Sequence, residues 1–165
     1  MPHSSSVIRP EATAVVTGSF LAGAMMNISM LAIPVLIDTT DQPSQLINQW
    51  VRVYHYGHRV LPGISIATCG LYAYAAFRKR SAGRPWGVFA AAALTTLTML
   101  PFTWTIIQPI INTLNAAQEA CKAGQVVEWD EALALVTTWT AMHTTRALFP
   151  LTGAIIGIWG MLNQI

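Results

Sequence analysis

Runs of apolar residues separated by short polar stretches divide the chain into four hydrophobic segments, at about 13–37, 59–77, 86–107 and 147–162. A helix needs roughly 20 mostly apolar residues to cross about 30 Å of hydrocarbon. The first segment meets this without a charge between Glu11 and Asp38. The last is short, so its helix is expected to begin earlier, within 131–146. In the stretch after the third segment, Ile111, Leu114, Ala117 and Cys121 recur at helical spacing, and Gly124 suits a helix end. A second helical pattern starts near Glu128, with Trp129, Leu133, Val136, Thr140 and His143 on successive turns. The prediction is an all-α, four-transmembrane-helix bundle forming one integral membrane domain over 1–165. An extramembrane helical extension between spans three and four would turn at Gly124 and project over the outer mouth.

Composition supports the membrane reading. Hydrophobic residues make up 53% of the chain, charged residues 10%, and mean hydropathy is +0.47. A soluble domain carries roughly 25% charge. The shortage excludes a disordered chain, a nucleic-acid-binding module and most small cytosolic enzymes. Two cysteines, Cys69 and Cys121, are too few for a disulfide scaffold. The first span lacks the basic start and short apolar core of a cleaved signal peptide and is read as retained.

Arg78, Lys79, Arg80 and Arg84 crowd the link between spans two and three, which marks that link as cytoplasmic. Both termini then face the cytoplasm, and the longer links at 38–58 and 108–146 face the other side. Those links hold Asp38, Asp41, Glu119, Glu128, Asp130 and Glu131, six of the seven acids.

Candidate chemistry is sparse. Each span carries a proline, Pro34, Pro62, Pro101 or Pro150, all in the outer half under this topology. Membrane helices tolerate proline, but four kinks at one level would also splay the bundle and open a cavity. Ionisable groups at membrane depth are costly and so point to function. Trp50, Tyr54 and His58 fall at i, i+4, i+8, and Trp139, His143 and Arg146 at i, i+4, i+7; each set forms one face if helical. Snorkelling into headgroups is the plain alternative for Arg59, and less so for Arg146, which shares its face with His143. Asn27, the amide of span one, serves the site or bridges two helices. Gly153 and Gly157, like Ser19 and Gly23, permit close helix approach within the bundle or a homo-oligomer. His55, His58 and His143 are the one donor set a metal would have, with no carboxylate or cysteine at ligand spacing; no metal is expected.

Several short motifs carry a resemblance. Gly18-Ser-Phe-Leu-Ala-Gly23-Ala-Met-Met-Asn27 followed by Pro34-Val-Leu-Ile-Asp38, then Trp50-Val-Arg-Val-Tyr54-His-Tyr-Gly57-His58 with Pro62, then Trp139-Thr-Ala-Met-His143-Thr-Thr-Arg146-Ala-Leu-Phe-Pro150 appear in order. Together they resemble the fungal anthrone oxygenases, small four-span proteins of polyketide pathways. The resemblance covers about 14–160. It implies oxidation of an anthrone to an anthraquinone, with dioxygen as co-substrate and no flavin, haem or other cofactor.

Such chemistry needs a base, a positive group beside an enolate oxygen, and an apolar pocket. On chemical type, His143 is the expected base and Arg146 the stabiliser of the enolate and peroxide. His58 or Tyr54 would supply the proton that lets water leave. Trp139, Trp50 and Trp104 would stack on a flat polycycle, with Arg59 and Asn27 also placed among the substrate-binding residues. The expected partners are a small apolar aromatic substrate and the lipid bilayer. Two other readings stay open: a membrane-embedded cyclase or isomerase using the same pocket, and a non-catalytic polyketide carrier. The endoplasmic reticulum or another endomembrane is the expected location.

Overall fold

The computed structural model describes residues 9–163, so the extreme ends of the expected domain, 1–8 and 164–165, lie outside the described residues. The described residues form an all-helical up-down-up-down bundle: α1 (Pro10–Asp38), α2 (Pro43–Ser81), α3 (Gly87–Lys122) and α4 (Trp129–Leu162). All four are long and apolar enough to cross a membrane. Large apolar side chains such as Phe20, Leu31, Val60, Phe77, Leu94 and Trp159 point outward, as a lipid-facing surface requires. α1 packs against α4 and α2, and α3 against the same two neighbours.

The helices outrun the bilayer. At ~1.5 Å per residue, a helix the length of α2 reaches ~58 Å, against ~30 Å of hydrocarbon. Hence the segment expected as a long link at 38–58 is a correction: it is helix from Pro43 on, and only Thr39–Gln42 connects α1 to α2. Its polar residues hid an amphipathic stripe. Leu46, Ile47 and Trp50 are fully buried against Ile107, Ile111 and Leu114 of α3 and Ala132, Val136 and Trp139 of α4. Proline at the first turn suits this helix start, where its missing N–H breaks no bond. The expected extension of α3, the turn and the return helix are all present, and Gly124 has φ +79°, the left-handed conformation of a helix terminator.

Two more apolar layers complete the core. Leu21, Met25, Leu61, Met99 and Ala147 fill the middle, and Tyr72, Phe89 and small residues of all four helices fill the inner end. Gly153, Gly157 and Gly160 line the face of α4 that meets α2 and α3. A Cβ at Gly157 would lie 2.8 Å from the Tyr72 ring, and one at Gly160 would lie 2.7 Å from Val88. That glycine pattern therefore serves the bundle interior. Gly23 has open space around it. At the inner end Lys79 Nζ lies 3.6 Å from a Glu11 carboxylate oxygen, with both side chains mostly covered.

The four span prolines do not act alike. Pro62 and Pro150 lie inside uninterrupted helices. α1 instead widens into a π turn over Ile28–Ala32, and α3 into another over Thr103–Ile107. The two are in the same register. Ile33, just before Pro34, donates its N–H to Ile28 O, and Gln108, just before Pro109, donates to Thr103 O, five residues back in each case. A proline ring crowds the carbonyl four residues before it and cannot bond it, and a wider turn relieves both problems. Pro101 follows a separate break at Thr98.

Candidate active site

Between the middle and outer core layers, α2, α3 and α4 enclose a cavity of about 350 Å³, roofed on the α1 side by Ile28. This lies at the lower end of the range for small-molecule pockets. Leu61, Pro62, Met99 and Leu100 give it an apolar lining, and Tyr54, His58, Thr103, Gln108, His143 and Arg146 bring polar groups to it. Trp104 is 68% exposed and Ile66 60% exposed, yet both line the cavity. They mark a lateral mouth between α2 and α3 on the lipid-facing surface.

The second helix supplies a column of rings. Trp50 and Tyr54 stack at 5.3 Å between centroids, 5° from parallel, and Tyr54 and His58 stack at 4.9 Å. The fourth supplies a shorter column, Trp139 stacked on His143 at 4.5 Å. The columns meet where Trp50 and Trp139 touch edge to face at 5.3 Å. Both predicted helix faces are therefore real, and they converge.

The two π turns then supply hydroxyls. Ser29, in the π turn of α1, places Oγ 3.0 Å from Nδ1 of His143, with both residues buried. A helical serine commonly bonds the carbonyl four residues back; Ser29 reaches across the bundle instead. Thr103 opens the π turn of α3. Its Oγ1 accepts a hydrogen bond from Nη1 of Arg146 at 3.1 Å and donates to the Met99 carbonyl at 2.7 Å. The Nε–H of Arg146 is buried without a hydrogen-bond partner. Among the described residues Arg146 has no carboxylate partner, since the ion pairs there are Lys79–Glu11 and Lys122–Glu119. The guanidinium thus keeps its positive charge beside the cavity.

Of the residues singled out in the sequence, His143, Arg146, His58, Tyr54, Trp139 and Trp104 line the cavity. Trp50 lies fully buried behind Tyr54. Arg59 and Asn27 are exposed and do not line it; for Arg59 this agrees with snorkelling. His55 sits 5.8 Å from His58 between ring centroids. It faces a separate polar groove with Arg52 and Gln118. Among the described residues no group of three or more His, Cys, Asp or Glu side chains is arranged to hold a metal.

Comparison with known proteins decides the family. The anthrone oxygenase family profile matches residues 50–156, a stretch that runs from Trp50 past Arg146. The chain belongs to the anthrone oxygenase family. It is 49% identical to the anthrone oxygenase AgnL2 of Paecilomyces divaricatus, over 94% of this chain and 96% of that one. It is 46% identical to the anthrone oxygenase dmxR16 of a Cryptosporiopsis species, over 94% and 90% of the two chains. Against the noranthrone monooxygenase of Aspergillus flavus, identity is 45% over 94% of this chain and 74% of the relative. No solved structure matches.

Sequence reasoning singled out no role for Ser29, Thr103 or Gln108 in this anthrone oxygenase fold. The usable signal was the proline register: a hydroxyl five or six residues before Pro34 and Pro109 sits in the turn each proline widens.

Proposed function

We propose that this chain is a monooxygenase that oxidises an anthrone to an anthraquinone with dioxygen, in fungal polyketide biosynthesis. The observation that carries the reading is a largely apolar cavity holding a buried imidazole beside a guanidinium with no carboxylate partner. An anthrone loses a methylene proton readily because the anion is an aromatic, phenolate-like enolate. That anion gives an electron to dioxygen, and the radical pair recombines at carbon as a peroxide. Protonation, loss of the second methylene hydrogen and O–O cleavage then yield the ketone and one water. In sum, CH2 and O2 become C=O and H2O. The chain must accept and return protons, hold a negative oxygen and keep bulk water out. His58, Tyr54, His143 and Arg146 are the groups for this, in a pocket whose rings and aliphatic wall suit a flat polycycle.

The reading includes chemistry without a metal or organic cofactor and a location in the endoplasmic reticulum or another endomembrane. The lateral mouth at Trp104 and Ile66 supports a substrate arriving through lipid. The test is dioxygen uptake by purified protein with emodin anthrone, before and after chelator treatment, with uncatalysed air oxidation subtracted. Uptake that survives chelation and fails in Arg146→Met supports metal-free oxygenation at this site. No uptake above background removes the oxygenase reading and favours an isomerase or cyclase.

A further inference from the structure

The two histidines of the cavity are held by opposite kinds of hydrogen bond. Nδ1 of His58 lies 3.0 Å from the Tyr54 carbonyl oxygen. A carbonyl only accepts, so Nδ1 carries the hydrogen, and in the neutral ring Nε2 is an open lone pair. Nδ1 of His143 lies 3.0 Å from Ser29 Oγ. Ser29 is buried, and Nδ1 of His143 is the one acceptor within reach of its hydroxyl among the described residues. The hydroxyl hydrogen therefore points at Nδ1, and the hydrogen of the neutral His143 ring sits on Nε2. His58 offers the cavity a proton acceptor, whereas His143 offers it a donor.

Placement agrees with this difference. His143 and Arg146 lie one turn apart on α4, so the ring and the guanidinium line the cavity from the same helix. His58 lines the cavity from α2. In an anthrone the methylene and the carbonyl lie opposite each other across the central ring. Deprotonation and charge stabilisation are thus needed at different atoms of the substrate, and groups on two different helices are available for them.

We infer that His58 is the general base that takes the methylene proton, and that His143 pairs with Arg146 as the anion-binding site for the enolate oxygen. This rests on the oxygenase reading and reverses the assignment that side-chain type alone favours. The C–H bond breaks, its hydrogen moves to Nε2 of His58, and its electron pair becomes the enolate. The negative oxygen is held by Nε2–H of His143 and the positive guanidinium of Arg146. Dioxygen then accepts the electrons as described above, and the His58 imidazolium returns its proton to the peroxide.

Glutamine separates the roles, because its amide donates a hydrogen bond much as a ring N–H does but cannot take a proton. The measurement is exchange of the emodin anthrone methylene hydrogens with deuterated water, without oxygen, over the protein-free rate. His58→Gln is expected to cut exchange by roughly 100-fold or more, the usual contribution of a positioned base. Added imidazole should restore part of it. His143→Gln should keep exchange within about tenfold of wild type, since a full oxyanion donor contributes roughly 100-fold or more. Exchange that persists in His58→Gln overturns the inference; so does its loss in His143→Gln with recovery on adding imidazole. His58 is exposed, so its variant should fold and decides the matter even if the His143 variant does not. Wild-type protein that consumes no dioxygen with the anthrone fails the oxygenase reading itself, which is a separate result.

Discussion

Replacing Thr103 by valine keeps the side-chain volume and deletes the oxygen that accepts the Nη1–H of Arg146 at 3.1 Å. The guanidinium, already missing a partner at Nε, then has a second orphaned N–H. A hydrogen bond to a charged group is worth about 1.5–3 kcal/mol, so folding stability should fall by an amount in that range. Catalysis should fall less. The charge stays in the cavity, but the side chain is no longer pinned, and holding a rotamer-rich side chain costs about 0.5–1.5 kcal/mol, or roughly 2- to 12-fold in rate. Arg146→Met removes the charge and should slow dioxygen uptake by roughly 100- to 1,000-fold. If Thr103 acts only by aiming Arg146, the double variant should match Arg146→Met within about twofold. The assay is initial dioxygen uptake with emodin anthrone across the four proteins of the cycle, normalised to folded protein and corrected for the blank. Thr103→Ser, which retains the oxygen, should stay near wild type. A double variant slowed by the product of the two single effects would refute the reasoning, because Thr103 would then act independently of the guanidinium.

Three further outcomes are expected. Gly157→Ala drives a methyl group to within 2.8 Å of the Tyr72 ring and 2.9 Å of Val15; thermal unfolding in detergent should show a loss of about 1–3 kcal/mol with unchanged activity per folded molecule, while Gly23→Ala should not destabilise. Pro34→Ala supplies the missing N–H, so the π turn over Ile28–Ala32 can close to an α turn and rotate Ser29 by ~100° away from His143; dioxygen uptake should fall as in Ser29→Ala, and unchanged uptake means packing rather than proline holds the turn. An N-glycosylation site inserted beside Gln125 should be modified in microsomes and one inserted beside Gly83 should not; the reverse pattern overturns the orientation drawn from Arg78, Lys79, Arg80 and Arg84.

Elements governed by periodicity were legible in the sequence. The rings at Trp50, Tyr54 and His58, and at Trp139 and His143, recur at helical spacing and do stack. Gly124 ends α3 in the left-handed conformation its residue type favours. The start of α2 was not legible by span length, because hydropathy measures what lipid tolerates. Residues 43–58 meet other helices along one face, and half a polar face is compatible with full burial of Leu46, Ile47 and Trp50. Ser29 was hidden for another reason. Periodicity does not separate it from Ser19, which is exposed; only its place five residues before Pro34 does, and the amide at Asn27 drew attention although it too faces outward. Their difference arises from a one-residue widening of the helix and from a partner more than a hundred positions away. Arg146 was readable as a candidate because a cation at membrane depth is rare, but its anchor on Thr103, the first residue of the second π turn, is a contact between residues 43 positions apart.

The choice of hydroxyls as supports follows from the solvent around the bundle. In a soluble enzyme a carboxylate commonly orients a catalytic imidazole or guanidinium. Here a carboxylate beside Arg146 would cancel the charge that the proposed enolate would need, and a buried carboxylate carries a desolvation cost of several kcal/mol. Serine and threonine are neutral and small and can aim a ring or a guanidinium without neutralising it. Their weakness is that a helical hydroxyl tends to turn back onto its own backbone, as Thr96, Thr98, Thr137, Thr140 and Thr145 do. A π turn changes which way its residues face, and a proline two residues beyond the turn favours that widening at a fixed place. Ser29 thereby reaches across the bundle to the imidazole, while Thr103 keeps its bond back to the Met99 carbonyl and offers its oxygen to the guanidinium. The positive charge left uncompensated on Arg146 is then available, under the proposed function, to an anion that would enter from the lipid as a neutral, apolar molecule and become charged only inside the cavity.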